Sequence, residues 1–266
     1  MCDVAPGAQT FEAAPETYDR HVGRYTPALA RSHVRVLDLG RRSHVLEVGC
    51  GPGALTEALA GSVGGGRVSA VEPSEAFAEA CRARVPDADV RVGTAEDLPD
   101  FGREFDAATS QLVLNFMSDG DAGVASMTGA VGDGGMVASV VWDYRSGMRM
   151  LRAFWDGALE LDRGAPDEAR TSAHCTPAGL RALWLRAGLD RVETGELVVQ
   201  ARYADFEDFW EPFTTGIAQS GAYCAGLDPE QRDALRELVF RHLGSPGGPF
   251  ALDARAWYVR GIVRRR

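Results

Sequence analysis

The densest chemical signal in the sequence is the run Glu47-Val48-Gly49-Cys50-Gly51-Pro52-Gly53. An apolar stretch leads into it and an amphipathic one leads out, which predicts a strand, a glycine turn and a helix start. Glycines let the backbone approach a ligand closely, and a helix N-terminus aims free N–H groups and positive dipole at it. The spacing Gly49-x-Gly51-x-x-Ala54 also satisfies the dinucleotide fingerprint, so on the glycines alone a dehydrogenase stays open. Glu47 argues against it, because a carboxylate two residues before the first glycine suits a cationic group and repels a pyrophosphate. Pro52 and Gly53 widen the turn, and Glu72, ending the next predicted strand, can accept hydrogen bonds from both hydroxyls of a ribose.

A ribose joined to a cation is the outline of S-adenosylmethionine. At these residues the sequence resembles the class I S-adenosylmethionine-dependent methyltransferases, small-molecule methyltransferases among them. The resemblance continues through Val71-Glu72-Pro73-Ser74, Val92-Gly93-Thr94-Ala95-Glu96-Asp97-Leu98-Pro99 and Phe105-Asp106-Ala107-Ala108-Thr109-Ser110-Gln111, about 100 residues with the motifs in order. It implies that Glu47, Gly49, Cys50, Gly51 and Gly53 hold the methionine end of the cofactor. Glu72 would hold the ribose, Pro73 one adenine face, and Thr94, Ala95 and Glu96 the adenine edge. Family members often carry Asp where Thr94 stands, so Glu96 or Asp97 would substitute for it here. The backbone of Cys50 matters more than its thiol. Tyr18, His21, Arg24 and Tyr25 resemble the amino-terminal segment that closes over the cofactor in many members, which adds Tyr18 and Tyr25 to its contacts. S-adenosylhomocysteine would be the product.

Methyl transfer from a sulfonium is an in-line displacement in which the protein supplies alignment and desolvation, with a base where the acceptor must lose a proton. In open α/β sheets the crevice lies beyond the carboxyl ends of the strands. This directs attention to Ser110, Gln111, Asn115 and Phe116 after the fourth strand, and to Trp142 and Asp143 after the fifth. His174, His21 and Asp143 are the general-base candidates. Phe209, Trp210 and Phe213 would line an apolar acceptor site. O- or N-methylation of a small molecule is expected ahead of C-methylation. Two alternatives remain. One is a cofactor-binding member of the fold that does not methylate, acting as a cyclase or a binding module. The other is a thiol or arsenite methyltransferase, since Cys175 and Cys224 lie downstream of the core as a cysteine pair does in arsenite methyltransferases.

Short apolar runs alternate with amphipathic stretches from residue 43 to 142, the pattern of βαβ units on a parallel sheet buried on both faces. The expected strands are 44–48, 67–71, 88–92, 105–109 and 135–141, with helices over 54–60 and 74–84 between them. Helices are expected at 148–161, 177–187, 205–218 and 229–243, and strands at 192–201 and 250–263. The fold class is therefore α/β: a Rossmann-like seven-stranded sheet of five parallel strands and a carboxy-terminal pair including an antiparallel strand, with helices on both faces. Three regions are expected: a helical arm over 1–43, a cofactor-binding core over 44–142, and the rest of the sheet over 143–266 with a helical lid at 203–244.

The 266 residues carry 28 Lys+Arg against 38 Asp+Glu, a net charge of −10. This disfavours a nucleic-acid partner, which needs clustered cations. No signal peptide and no membrane span are readable, so a cytoplasmic protein is expected. Cys2, Cys50, Cys81, Cys175 and Cys224 are scattered without a Cys-x-x-Cys pair, and neither a disulfide framework nor a metal site follows.

Overall fold

Alternation along the apolar runs sends successive side chains to opposite faces of a sheet. The computed structural model describes residues 20–172 and 174–265, and chain neighbours in its central strands enter two different core clusters. Its elements begin with α1 (Thr26–Leu37), β1 (Val45–Val48), α2 (Ala54–Val63), β2 (Val68–Glu72), α3 (Glu75–Arg84), β3 (Asp89–Val92) and β4 (Phe105–Gln111). Then come α4 (Gly120–Ala130), β5 (Val131–Trp142), α5 (Arg149–Leu161), α6 (Glu168–Thr171), α7 (Pro177–Arg186) and β6 (Asp190–Tyr203). The last are α8 (Phe206–Trp210), α9 (Ala218–Ala225), α10 (Pro229–His242) and β7 (Phe250–Ile262). Among the described residues no helix is long and apolar enough to cross a membrane.

The seven strands form one sheet in the order β3-β2-β1-β4-β5-β7-β6. The first five run parallel, and β7 is antiparallel to both of its neighbours. Because β1 pairs with β2 on one side and β4 on the other, the strand order reverses there. The crevice at the carboxyl ends of β1 and β4 is the topological switch point.

Two compact units divide the chain. One holds residues 26–141, 174–197 and 256–265 of the described chain, the other residues 20–25, 142–172 and 198–255. In the first, Val45, Ala107 and Ala138 pack with Ala30 and Leu37 of α1 and Leu55 and Leu59 of α2. Their chain neighbours Leu46, Ala108 and Val137 pack with Val124 and Met127 of α4 and Leu180, Leu183 and Trp184 of α7. The fully buried Trp184 also donates its indole N–H to the Val137 carbonyl at 2.9 Å. On the α1 side, His33 is fully buried and its Nε2 lies 2.9 Å from Thr109 Oγ1 of β4. Burial pushes this imidazole down to about 4, with the Gln111 hydrogen bond opposing.

In the second unit, rings make the core. Phe154 of α5 stacks on Phe213 with centroids 4.5 Å apart, and Tyr203 stacks on Phe250 at 5.1 Å. Gly157 lets α5 meet α10 closely, since a Cβ there would lie 3.2 Å from the Val239 backbone nitrogen. Arg24 forks onto Asp208 of α8 at 2.7 and 2.9 Å and lies over the Tyr203 ring.

Besides the short α6, which the sequence pattern does not show, two regions differ from expectation. The sequence pattern shows no helix between the fourth and fifth strands, where α4 forms with Asp119 capping it through Ala122 N–H. Gly120, Gly123 and Gly129 dilute its apolar periodicity, and at Gly123 a Cβ would meet Met117 Sδ at 2.5 Å, so the flexible Met117 side chain fills the space a larger residue would take. The expected continuous helix over 205–218 is instead α8, a 3₁₀ segment Glu211–Thr215 and α9. Pro212 lacks an N–H and Gly216 turns left-handed at φ 81°, so an α-helix cannot continue through them.

Trp184→Phe keeps the ring but removes the donor to Val137, and is expected to lower unfolding free energy by about 1–3 kcal/mol in urea melts with an unchanged slope. His33 has a folded pKa below its unfolded value. Its contribution to stability is therefore complete above the unfolded pKa near 6.5 and is lost as pH falls through about 4. Between pH 7 and pH 3.5 the wild type should lose up to about 3 kcal/mol more than His33→Gln, read from urea midpoints.

Candidate cofactor site

The carboxyl end of β1 leads directly into the glycine turn. Gly49 N–H and Cys50 N–H both donate to the Val71 carbonyl of β2, at 2.7 and 3.1 Å, so the turn is fastened to the neighbouring strand. Gly49 has φ 74°, and a Cβ there would fall 2.4 Å from Val113 Cγ2. Gly53 has φ 92° and would bring a Cβ to 3.0 Å from Cys81 Sγ. Each position thus excludes a side chain by conformation and by space. Helix α2 opens after Gly53 with no side-chain cap, which leaves its positive end directed by the turn.

Glu47 and Glu72 flank this turn on adjacent strands. Glu47 is 1% exposed and accepts a hydrogen bond from Thr56 Oγ1 at 2.6 Å. Burial pushes its carboxyl well above the usual range, against the Thr56 hydrogen bond. Glu72 accepts from Gly51 N–H at 2.9 Å through one oxygen and from Ser74 N–H at 3.0 Å through the other. Burial raises its pKa too, with the Ser74 and Gly51 amides opposing. Sequence reasoning assigned Glu72 to a ligand. Its bracing of the glycine turn emerges only from the folded register. Thr56 was missed as well, although its place in the first turns of the helix after the glycines was a readable signal.

After β2 and β3, Pro73 and Thr94 are exposed and Ala95 is buried. Thr94 Oγ1 accepts from Asp97 N–H at 3.2 Å. Glu96 accepts from Ser118 N–H at 2.9 Å and Ser118 Oγ at 2.8 Å, joining the segment after β3 to the loop before α4. Burial raises the Glu96 pKa, but these donors outweigh it and hold the carboxyl below its ordinary range.

At the end of β4, Ser110 is fully buried with its hydroxyl 2.8 Å from Ser139 Oγ. Gln111 Oε1 lies 3.4 Å from His33 Nδ1. His33 itself carried a readable signal, since Leu29, His33 and Leu37 share one helix face at a spacing of four. Leu112 follows with φ 63°, a strained left-handed conformation for a leucine at the crevice. Asn115 and Phe116 are half-buried in the 3₁₀ segment Leu114–Phe116. His174 is half-buried with φ 55°, and a Cβ on Gly120 would lie 3.0 Å from its Nε2.

The remaining candidates lie in the second unit, apart from Tyr18, which is outside the described residues. Tyr25 is fully buried and its hydroxyl is 3.1 Å from that of Tyr203. Burial pushes the Tyr25 phenol up to about 12. Trp142 meets Tyr25 edge-on at 5.9 Å. Phe209, Trp210 and Phe213 are buried together, and His21 stands edge-on to Phe213 at 4.8 Å. Burial pushes the His21 imidazole down to about 3, and neither ring nitrogen has a hydrogen-bond partner among the described residues. Asp143 accepts from Arg255 at 2.7 Å and Ser146 Oγ at 3.0 Å. Although burial raises its pKa, these partners hold it low and ionised.

Residues 45–135 match the family model described as a methyltransferase domain. A curated relative, trans-aconitate 2-methyltransferase of Paracidovorax citrulli (strain AAC00-1), is 32% identical over 108 residues, covering 40% of this chain and 42% of the relative. The match thus spans less than half the length of that relative. A solved structure of a type II methyltransferase candidate from Anaeromyxobacter dehalogenans is 22% identical with a TM-score of 0.65, covering 91% of this chain and 98% of that one. A methyltransferase candidate from Bacillus halodurans C-125 is 14% identical with a TM-score of 0.59, covering 89% and 99%. At these identities the two structures share the fold. The matched methyltransferase domain spans the motifs that lie in order along the sheet, and this similarity supports a class I S-adenosylmethionine-dependent methyltransferase with S-adenosylmethionine as cofactor.

Proposed function

We propose that this protein methylates a small-molecule acceptor at oxygen or nitrogen. The observation that carries the reading is the pair Glu47 and Glu72, on adjacent strands either side of a glycine turn at the switch point. The donor set fits the cofactor: Glu47 suits the cationic methionine end, the amides of the turn and α2 suit its carboxylate, and Glu72 keeps acceptor capacity for ribose hydroxyls. Pro73, Thr94, Ala95 and Glu96 are proposed for the adenine, with Ser110, Gln111, Tyr18 and Tyr25 as further contacts. When bound, the cofactor supplies an activated methyl group.

On the acceptor side, Asn115, Phe116, Trp142, Phe209, Trp210 and Phe213 are proposed. His21 is the favoured polar partner, because burial keeps its imidazole neutral and both nitrogens are available. A group with so low a pKa orients an acceptor by hydrogen bonding and retains a proton poorly at neutral pH. Asp143 is already occupied by Arg255 and Ser146, and His174 remains as the loop alternative. The name of the curated relative, a trans-aconitate methyltransferase, agrees with a small acidic acceptor. The net charge of −10 argues against nucleic acid. The arsenite alternative is weakened by Cys224, whose thiol burial pushes up to about 11, away from the thiolate that soft ligation requires.

Calorimetric titration tests the cofactor assignment. S-adenosylmethionine and S-adenosylhomocysteine should bind in the micromolar range and nicotinamide dinucleotides should not. Glu72→Ala should weaken both sulfur ligands by about tenfold or more. Dinucleotide binding without sulfur-ligand binding would reverse the reading, and cofactor that is never consumed with any acceptor would favour the non-methylating alternative. A second expectation concerns protons. A cation beside Glu47 favours its ionised form, so the sulfonium donor should release protons on binding and bind more tightly as pH rises toward the free-state pKa of Glu47. S-adenosylhomocysteine keeps the α-ammonium and loses only the sulfonium charge, so a weaker dependence for it assigns Glu47 to the sulfonium and an equal one to the ammonium; Glu47→Gln should abolish the pH dependence, and buffers of different ionisation heat separate the proton count from the binding heat.

A further inference from the structure

The unit holding residues 142–172 and 198–255 contains a cavity of about 740 Å³ with a basic wall. This is the size of a small-molecule site, which falls at roughly 300–1,000 Å³. Arg145, Arg149, Arg152 and Arg170 line it, against the carboxylates Asp156 and Asp167. Both carboxylates are engaged by one arginine: Arg152 reaches Asp156 at 2.6 Å and Asp167 at 2.8 Å. Asp167 further accepts from Ala169 N–H as the cap of α6. Among the described residues, the guanidinium groups of Arg145, Arg149 and Arg170 have no hydrogen-bond or ion-pair partner. These three arginines are exposed and face the same open pocket, beside the Arg152 pairs with Asp156 and Asp167.

The local electrostatics compound this. Arg149 and Arg152 are three residues apart at the start of α5 and so share a face. That helix has no acidic residue in its first turn and no side-chain cap. Cations there oppose the helix dipole, and an anion in the cavity reverses the sign of the whole arrangement.

We propose that this cavity binds a small molecule bearing clustered anionic oxygens, as in a phosphate ester or a polycarboxylate, through Arg145, Arg149 and Arg170. Guanidinium forks match such groups in geometry and charge. Arg152, held by its two carboxylates, is the fixed wall against which the ligand seats. The site is independent of the methyl-transfer reading, and its test uses no methyl donor.

The full chain is titrated with inorganic phosphate and, separately, citrate at constant ionic strength, with calorimetric heats and thermal midpoints recorded. At least one anion should bind saturably and raise the midpoint; phosphate alone indicates a phosphorylated ligand, citrate alone a polycarboxylate, and both the shared chemistry. The double variant Arg149→Gln, Arg170→Gln should weaken binding about 100-fold, roughly tenfold for each charge-assisted pair. Because neither guanidinium has an internal partner, that variant should keep the wild-type midpoint without anion, which separates lost binding from lost folding. Arg241→Gln, removing an exposed arginine paired with Glu160, should change nothing. Absence of saturable binding of either anion to the wild type, or undiminished binding to the double variant, overturns the proposal.

Discussion

The glycine turn holds its shape because one carboxylate joins two segments that the chain separates. Gly51 and Ser74 both donate backbone N–H groups to Glu72, one to each oxygen. The Val71 carbonyl takes the amides of Gly49 and Cys50 immediately beside it. Three backbone donors that a tight turn would otherwise leave exposed to a binding crevice, with Ser74 N–H beside them, are therefore satisfied by the end of a single strand. The left-handed angles at Gly49 and Gly53 follow from that fastening, as does the direction in which α2 starts. A ligand arriving at such a site meets groups already in place, so less of its binding free energy goes into ordering the protein.

Beneath the crevice lies a set of buried polar pairs: Thr56 with Glu47, His33 with Thr109 and Gln111, and Ser110 with Ser139. Inside a low-dielectric core such pairs are costly if broken and rigid if kept. They fix α1, α2 and β5 to the strands whose ends form the site. The aromatic unit is organised differently. Rings there supply the packing, while His21, Ser220 and Tyr223 each carry a buried polar atom without a partner among the described residues. Buried polar atoms of that kind are rare in native interiors.

The parallel core and the turn were legible because each signal was local: alternating apolar residues for β1 to β5, and glycines with carboxylates at fixed offsets for the site. Helix α4 was hidden because Gly120, Gly123 and Gly129 fall within it, and glycine weakens a helical pattern. The break at Pro212 and Gly216 was written in the sequence, but the apolar spacing through Phe209, Trp210 and Phe213 concealed it. The bracing role of Glu72 was not readable, since it depends on the register that sets β2 against β1. Nor was the basic cavity, whose arginines come from a loop, the first turn of α5 and the short α6, and become a cluster only after folding.

The strand order carries a consequence for how the sheet is assembled. β7 lies between β5 and β6, although β6 precedes it in the chain by the whole stretch from Tyr203 to Phe250. During synthesis β6 emerges with no neighbour to pair with and must wait while α8, α9 and α10 are made. Its edge is unpaired in that interval, the condition under which strands join the wrong partner. β6 has β7 as its one sheet neighbour, so every native pairing of β6 waits for β7 to be made, and β6 joins the rest of the sheet through β7 alone.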